Sequence, residues 1–156
     1  MNWTLGIDPG LTGAVAAVSP TGVAELLEDL PTLERGRGRV RRELDAAALS
    51  RLLYPHAGGI RLAVVEQVSS RPGQGVASVF SLGHSLGTVQ AVLASLSIPV
   101  VMATPTRWKR AVGVPADKER CRAFAARLHP DQPLERKRDH NRAEALLLAR
   151  YARTLI

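Results

Sequence analysis

Hydrophobic and polar positions fall into two regimes, short unbroken apolar runs and longer stretches with helical spacing. The runs at residues 3–8, 14–18, 23–30, 60–67 and 98–103 are each bounded by Gly, Pro or polar turn residues and predict five strands. Leu62, Ala63, Val64 and Val65 form a continuous apolar segment, as a central strand covered on both faces requires. Leu44, Ala47, Ala48, Leu52 and Leu53 recur at helical spacing and predict a helix over 43–54, ended by Pro55 and Gly58-Gly59. A longer stripe, Val79, Leu82, Leu86, Val89 and Leu93, predicts a helix over 75–97. Within it Gly83 and Gly87 lie one turn apart. A helical glycine costs about 1 kcal/mol relative to alanine, so the pair points to a close backbone approach, onto the sheet or onto a second subunit.

Thr104-Pro105 opens a short helix carrying Arg107, Trp108, Lys109 and Arg110, and a further helix runs from Pro115 through Leu128. Asp117 stands near the start of the latter, where the helix dipole favours an anion. The last helix packs through Ala145, Leu148, Ala149 and Ala152, with Asp139 placed as its N-cap. Between the third strand and the first helix, residues 34–42 hold five arginines, two glycines and almost nothing apolar, which reads as a mobile basic loop.

Composition narrows the class. The chain of 156 residues, with 46% hydrophobic residues, suits one packed domain over 1–156 and argues against disorder. The apolar runs are interrupted by polar residues and Pro99, so no stretch is expected to reach membrane-spanning length. Met1-Asn2-Trp3 leads directly into a strand without a basic and then apolar leader, which implies a cytoplasmic location. The lone Cys121 excludes an internal disulfide and a cysteine metal cluster, and reads as core packing. Net charge is +7, and 18 of the 21 basic residues are Arg, whose forked donors suit phosphate. A polyanion, foremost nucleic acid, is the partner this implies.

The candidate chemistry lies in the acids. The first strand ends on Asp8, followed by the glycine-rich turn Pro9-Gly10-Leu11-Thr12-Gly13, and the 60–67 strand ends near Glu66. A carboxylate at the end of a buried strand is costly unless a cation faces it. Capping of the turn by Asp8 and a salt-bridged strand end at Glu66 are the structural alternatives. Asp139 and Glu144 add two more acids, Glu144 on the apolar face of the last helix. Being five apart, they diverge within one ideal helix, but an Asp139 in the non-helical cap can swing round. Four such oxygen donors suit a hard divalent cation, and two Mg²⁺ ions about 4 Å apart can hydrolyse a phosphodiester. His56, His84, His129 and His140 show no zinc spacing, and no Ser-His-Asp or Cys-His set competes.

With these pieces assembled, the sequence resembles the RuvC-type Holliday junction resolvases of the RNase H-like superfamily. The matching segments are Gly6-Ile7-Asp8-Pro9-Gly10, Val65-Glu66-Gln67-Val68, Leu82-Gly83-His84-Ser85-Leu86-Gly87, Thr106-Arg107-Trp108-Lys109-Arg110-Ala111-Val112-Gly113, Asp117-Lys118 and Asp139-His140-Asn141-Arg142-Ala143-Glu144-Ala145-Leu146, in family order. Pro72-Gly73-Gln74-Gly75-Val76 and the Asp-His-x-Arg-Ala-Glu ending look most like the phage, prophage and chloroplast branch. The resemblance implies an α/β RNase H-like fold, a five-stranded mixed sheet flanked by helices. It implies a homodimer cutting four-way DNA junctions into 5′-phosphate and 3′-hydroxyl ends with two Mg²⁺ ions per site, for which Mn²⁺ substitutes. Asp8, Glu66, Asp139 and Glu144 would be the ligands, with Asn141 and His140 beside them. In the widespread bacterial resolvases the last two ligands are three apart, which would select Asn141 instead of Asp139. Lys109 and Lys118 match family positions near the scissile phosphate. Arg35, Arg37, Arg39, Arg41, Arg42, Arg71, Gln74, Arg107, Arg110 and Lys137 complete the expected DNA-binding set. The family's aromatic wedge after the second strand end is Ser69 here, leaving Phe80 and Arg71 as candidates for that task.

Two other readings share features. An RNA-processing nuclease of the YqgF type opens with a similar strand, but Trp108-Lys109 and the ending motif fit resolvases better. Actin-like sugar kinases share the Asp-x-Gly-x-Thr-Gly hairpin, but they need two lobes and a second Gly-rich adenosine segment, absent from these residues. A junction-binding protein without catalysis is disfavoured by the full set of acids. Replacing Arg35, Arg37, Arg39, Arg41 and Arg42 together is expected to weaken junction binding and flatten its salt dependence. An unchanged salt slope in a binding titration would make that segment a linker.

Overall fold

The computed structural model describes residues 1–36 and 41–156. Five strands, β1 (Trp3–Asp8), β2 (Ala14–Val18), β3 (Ala24–Asp29), β6 (Ile60–Glu66) and β7 (Val100–Ala103), form one sheet in the order β3-β2-β1-β6-β7. β1, β2 and β3 are an antiparallel meander, while β1, β6 and β7 run parallel. The expected mixed five-stranded sheet is therefore present. Ile7 pairs with Val65 and Glu66 with Ala103, so Asp8 and Glu66 finish neighbouring parallel strands at the same edge. The carboxyl ends of parallel strands are where open α/β sheets place their ligands.

Helices cover both faces. Behind one face, α1 (Ala46–Leu53) and α2 (Val76–Ser95) close a core of Leu5, Ile7, Val15, Leu49, Leu53, Val65, Val89 and Leu93. Against the other lie α3 (Pro105–Val112), α4 (Lys118–Leu128) and α5 (His140–Arg153), around Val64, Trp108, Cys121, Leu146 and Ala149. Cys121 is buried there as packing, with its thiol pushed up to about 11 by burial and the nearby Glu144. Asp117 caps α4 by accepting from the Arg120 amide, and Thr104 caps α3 in the same way through Arg107.

α5 lies directly on β1. A Cβ built on Gly6 would stand 2.1 Å from the carbonyl oxygen of Ala145 and 2.2 Å from the amide of Ala149. Thr4 Oγ1 donates to the Ala149 carbonyl at 2.8 Å in the same contact. Gly6, Ala145 and Ala149 thus bring two backbones together with almost no side chain between them. At the turn after β1, a Cβ on Gly13 would fall 1.9 Å from the carbonyl oxygen of Asp8, which explains that glycine.

Three expectations change. Within the basic segment, Arg35, Arg41 and Arg42 stand on paired strands rather than in a free loop, because β4 (Thr32–Arg35) pairs antiparallel with β5 (Arg41–Leu44). Arg35 bridges Glu43 at 2.5 Å and Arg42 donates to Thr32 Oγ1 at 2.7 Å, cross-strand contacts that a charge count does not reveal. Because Glu43 and Leu44 belong to β5, α1 starts at Ala46, with Asp45 as its N-cap. Arg37 and Arg39 lie outside the described residues.

Second, Gly83 and Gly87 do not contact the sheet; a Cβ at either would meet nothing within 4 Å, and both are exposed. Third, α2 has 20 residues without Asp, Glu, Lys or Arg and is long and apolar enough to cross a membrane by length and composition. Its Val89 and Leu93 pack on the sheet, while Val76 and Phe80 are 87% and 74% exposed.

Gly6→Ala is expected to lower unfolding free energy by about 3 kcal/mol or more, since backbone rather than a mobile side-chain end must yield. Denaturant unfolding checks this, and a loss near zero would mean that α5 lifts freely from β1.

Candidate active site

Asp8 and Glu66 open onto a cleft of about 610 Å³ at the shared strand edge, and Glu144 reaches the same cleft from α5. Lys109 and Arg110 from α3, Lys118 from the start of α4, and Arg71 line it as well. Gly10, Thr12 and Gly13 line it beside Asp8, where small residues leave the edge clear. Acid at the base and basic groups at the rim suit a phosphodiester approaching a metal-binding centre.

Each acid has a different setting. Burial, with Glu66 and Glu144 nearby, pushes the Asp8 carboxyl up to about 7, against the opposing pull of Lys118 and Lys109. Burial also raises Glu66, while a hydrogen bond from the Trp108 indole opposes the rise. Trp108 Nε1 donates to Glu66 Oε2 at 2.8 Å. Glu144, 6% exposed, accepts from Lys109 Nζ at 2.7 Å. Burial lowers the Lys109 pKa, but the bond and charge of Glu144 outweigh it and the net shift is upward.

Asp139 is apart from this group. It is 2% exposed and turned toward Arg136, whose backbone amide and guanidinium both donate to its carboxylate. Those bonds lower its pKa from the ordinary carboxylate value. It does not line the cleft; Asn141 does, one helical turn before Glu144 on the same face of α5. Asn141 Nδ2 also donates to the Thr12 carbonyl, tying α5 to the turn after β1. His140 faces Lys137, its Nδ1 lying 3.0 Å from that carbonyl oxygen.

The expected basic residues divide likewise. Lys109, Lys118, Arg71 and Arg110 line the cleft, and Gln74 lines an adjoining groove with Arg71, Leu82 and Thr106. Gln74 closes its own loop, accepting from the Arg71 amide and donating to Ser78. Arg107 and Lys137 are exposed and line neither hollow, and Arg35, Arg41 and Arg42 stand on the β4–β5 hairpin. Phe80 is exposed on α2, 6.5 Å from the ring of His84. Trp108 as the partner of Glu66, and Gly6 beneath α5, were not legible as site features. Their signals were a tryptophan inside an otherwise basic helix and a glycine inside an apolar strand.

Among the described residues, no three acid, histidine or cysteine side chains as they stand surround one point that could hold a metal ion. The donor chemistry nevertheless fits a hard cation: three carboxylates and an amide line one cleft, and burial, with crowding by Glu66 and Glu144 added, raises the proton affinity of Asp8. Trp108 and Lys109 engage Oε2 of Glu66 and Oε1 of Glu144, so each carboxylate retains a second oxygen.

No family model matches the sequence, and no curated protein matches it at a significant level. Solved structures do match. Thermus thermophilus RuvC in complex with a Holliday junction substrate superposes with a TM-score of 0.65, over 97% of this chain and 92% of that one, at 19% identity. A second Thermus thermophilus RuvC structure gives 0.52 over 94% and 90%, also at 19% identity. The fold is that of RuvC. The RNase H-like architecture expected from the sequence is thereby established, and the RuvC-like course extends over nearly the whole chain.

The Asp8 shift makes stability depend on pH. Folded protein retains the Asp8 proton between pH 4 and about 7, where the unfolded chain has released it. This contribution is full below the ordinary carboxylate pKa and is lost as pH rises through about 7. Asp8→Asn, always neutral, is therefore expected to unfold later than the parent protein at pH 8 in EDTA, by on the order of 2 kcal/mol, with the gap closing toward pH 4. Thermal melts at the two pH values measure it.

Proposed function

We propose that the protein is a structure-selective DNA endonuclease that resolves four-way junctions. The observation that carries this is the meeting of Asp8, Glu66 and Glu144 in one cleft rimmed by Lys109, Lys118, Arg71 and Arg110, on a fold whose solved neighbour is RuvC with a Holliday junction substrate.

Asp8, Glu66 and Glu144 would hold two Mg²⁺ or Mn²⁺ ions, with Asn141 beside them and Asp139 available if Arg136 releases it. When bound, these ions supply an activated water and charge stabilisation at the leaving oxygen of the phosphodiester. Lys109 and Lys118 bind the scissile phosphate and offset its developing charge. Arg71 and Arg110 carry the phosphate track outward, and Gln74 and Arg107 meet the backbone on either side. Arg35, Arg41, Arg42 and Lys137, with Arg37 and Arg39, add contacts to the junction arms. Lys109 must exchange its bond to Glu144 for phosphate, so metal and substrate assist each other. The products are 5′-phosphate and 3′-hydroxyl ends.

Paired cutting needs two sites, and α2 offers the surface for a homodimer. Val76, Phe80, Gly83 and Gly87 leave an uncharged, partly apolar and deeply notched helix face uncovered. Two copies joined there would each present one cleft to the junction.

A synthetic four-way DNA junction with Mg²⁺ is expected to receive symmetric paired nicks from the protein. Asp8→Asn is expected to lower cutting by about 100-fold or more while leaving junction binding intact. Equal cutting by that variant would remove Asp8 from the reaction. Cleavage of structured RNA with junction DNA left whole would favour the YqgF-type reading. Phe80→Asp is expected to shift sedimentation toward monomer and to unpair the nicks.

A further inference from the structure

The acids of the cleft do not stand on their own backbone alone. Glu66 and Glu144 come from a strand and a helix on either side of α3, and both are held by consecutive residues of that helix. Trp108 has no solvent exposure. Its ring packs in the core cluster that includes Val64, Ala103, Val114 and Cys121. A buried indole needs an acceptor for its single N–H, and here the acceptor is Glu66 Oε2 at 2.8 Å. The same ring lies beneath Lys109, whose Nζ is 5.2 Å from the ring centroid and 2.7 Å from Glu144 Oε1.

We propose that Trp108 is a positioning residue of the metal centre, fixing the Glu66 carboxylate directly through its indole N–H. This rests on the reading of Glu66 and Glu144 as metal ligands.

The choice of an indole has a physical reason. A cation in this place would orient Glu66 but also neutralise part of the charge that binds metal. An indole N–H is a neutral donor, so it fixes the rotamer and leaves the carboxylate anionic. It occupies one oxygen and leaves the other for a metal. The donor itself cannot wander, because core packing surrounds the ring and α3 is pinned at both ends. Thr104 caps its start, and Gly113 ends it with φ at +76°. Partners that orient ligands in this way are worth about 10-fold to 100-fold in metal affinity.

The test uses the full chain, stripped of metal. Trp108→Phe keeps most of the apolar fill and removes the donor. Site-specific replacement of Trp108 by benzothienylalanine exchanges only the N–H for sulfur, and serves where the phenylalanine variant folds poorly. Calorimetry with Mn²⁺ is expected to show affinity weakened about 10-fold or more in both. The single-turnover rate on a junction should shift to higher Mn²⁺ by the same factor, with excess Mn²⁺ restoring most of it. In a Glu66→Gln background, the same replacements should add no comparable weakening. Equal weakening in both backgrounds would assign Trp108 a packing role and overturn the proposal, as would unchanged Mn²⁺ affinity with benzothienylalanine. A parent protein that binds no Mn²⁺ and cuts no junction would instead overturn the nuclease reading beneath it.

Discussion

The contact of α5 with β1 sets the geometry of everything else in the cleft. Only at Gly6 can the helix backbone come close enough for Ala145 and Ala149 to rest on the strand itself. Glu144 precedes Ala145 by one residue and Asp8 follows Gly6 by two, so the contact that fixes the helix also fixes the distance between two acids. A Cβ at position 6 would push the helix outward and take Glu144 with it. Packing and chemistry are therefore one constraint at this point. Two ties in the first turn of the same helix, Asn141 to Thr12 and Arg142 to Asp29, resist rotation about that contact.

Gathering acids in this way is unfavourable by itself, and the structure shows where the strain is taken up. Asp8 bears most of it, with its carboxyl pushed up to about 7 by burial and its neighbours. Glu66 and Glu144 escape part of it through Trp108 and Lys109, one neutral donor and one cation. A cluster arranged this way is poised: a cation in the cleft would relieve Asp8 and compete with Lys109 for Glu144. The basic rim makes the same point for the substrate, since Lys118, Arg71 and Arg110 line the cleft without a salt bridge among the described residues.

Much of this was readable from the chain. An apolar run ending on an acid is a strong local pattern, and β1 and β6 both display it, so their shared edge and their acids were foreseeable. The basic hairpin was not. Its pairing sets Glu43 near Arg35 and Thr32 near Arg42, cross-strand contacts that periodicity cannot register. Gly83 and Gly87 signalled a close approach, onto the sheet or onto a second subunit, and the fold excludes only the first, because a glycine pair does not name the surface approached. The Trp108–Glu66 bond spans 42 positions, and neither residue type predicts the other. Local signals located the elements and their acids; the bonds that orient those acids are tertiary.

The fourth acid shows where spacing runs out as a guide. Asp139 and Glu144 are five apart, and a swing of the cap residue could in principle bring them together. The cap here does the reverse. Arg136 and Asp139 close on each other through backbone and side chain, so the carboxylate points back along the chain. Asn141, three residues before Glu144, faces the cleft without any such rearrangement because helical geometry alone puts it there. An amide offers one neutral oxygen where a carboxylate would add a charge, and the cleft already holds three acids. Recruiting Asp139 would require breaking a charge-assisted pair, which only a nearby cation or phosphate could compensate. The resting cleft therefore presents three carboxylates, while Asp139, expected as the side-chain cap of α5, makes no cap bond to that helix and is held by Arg136 in the short turn before it.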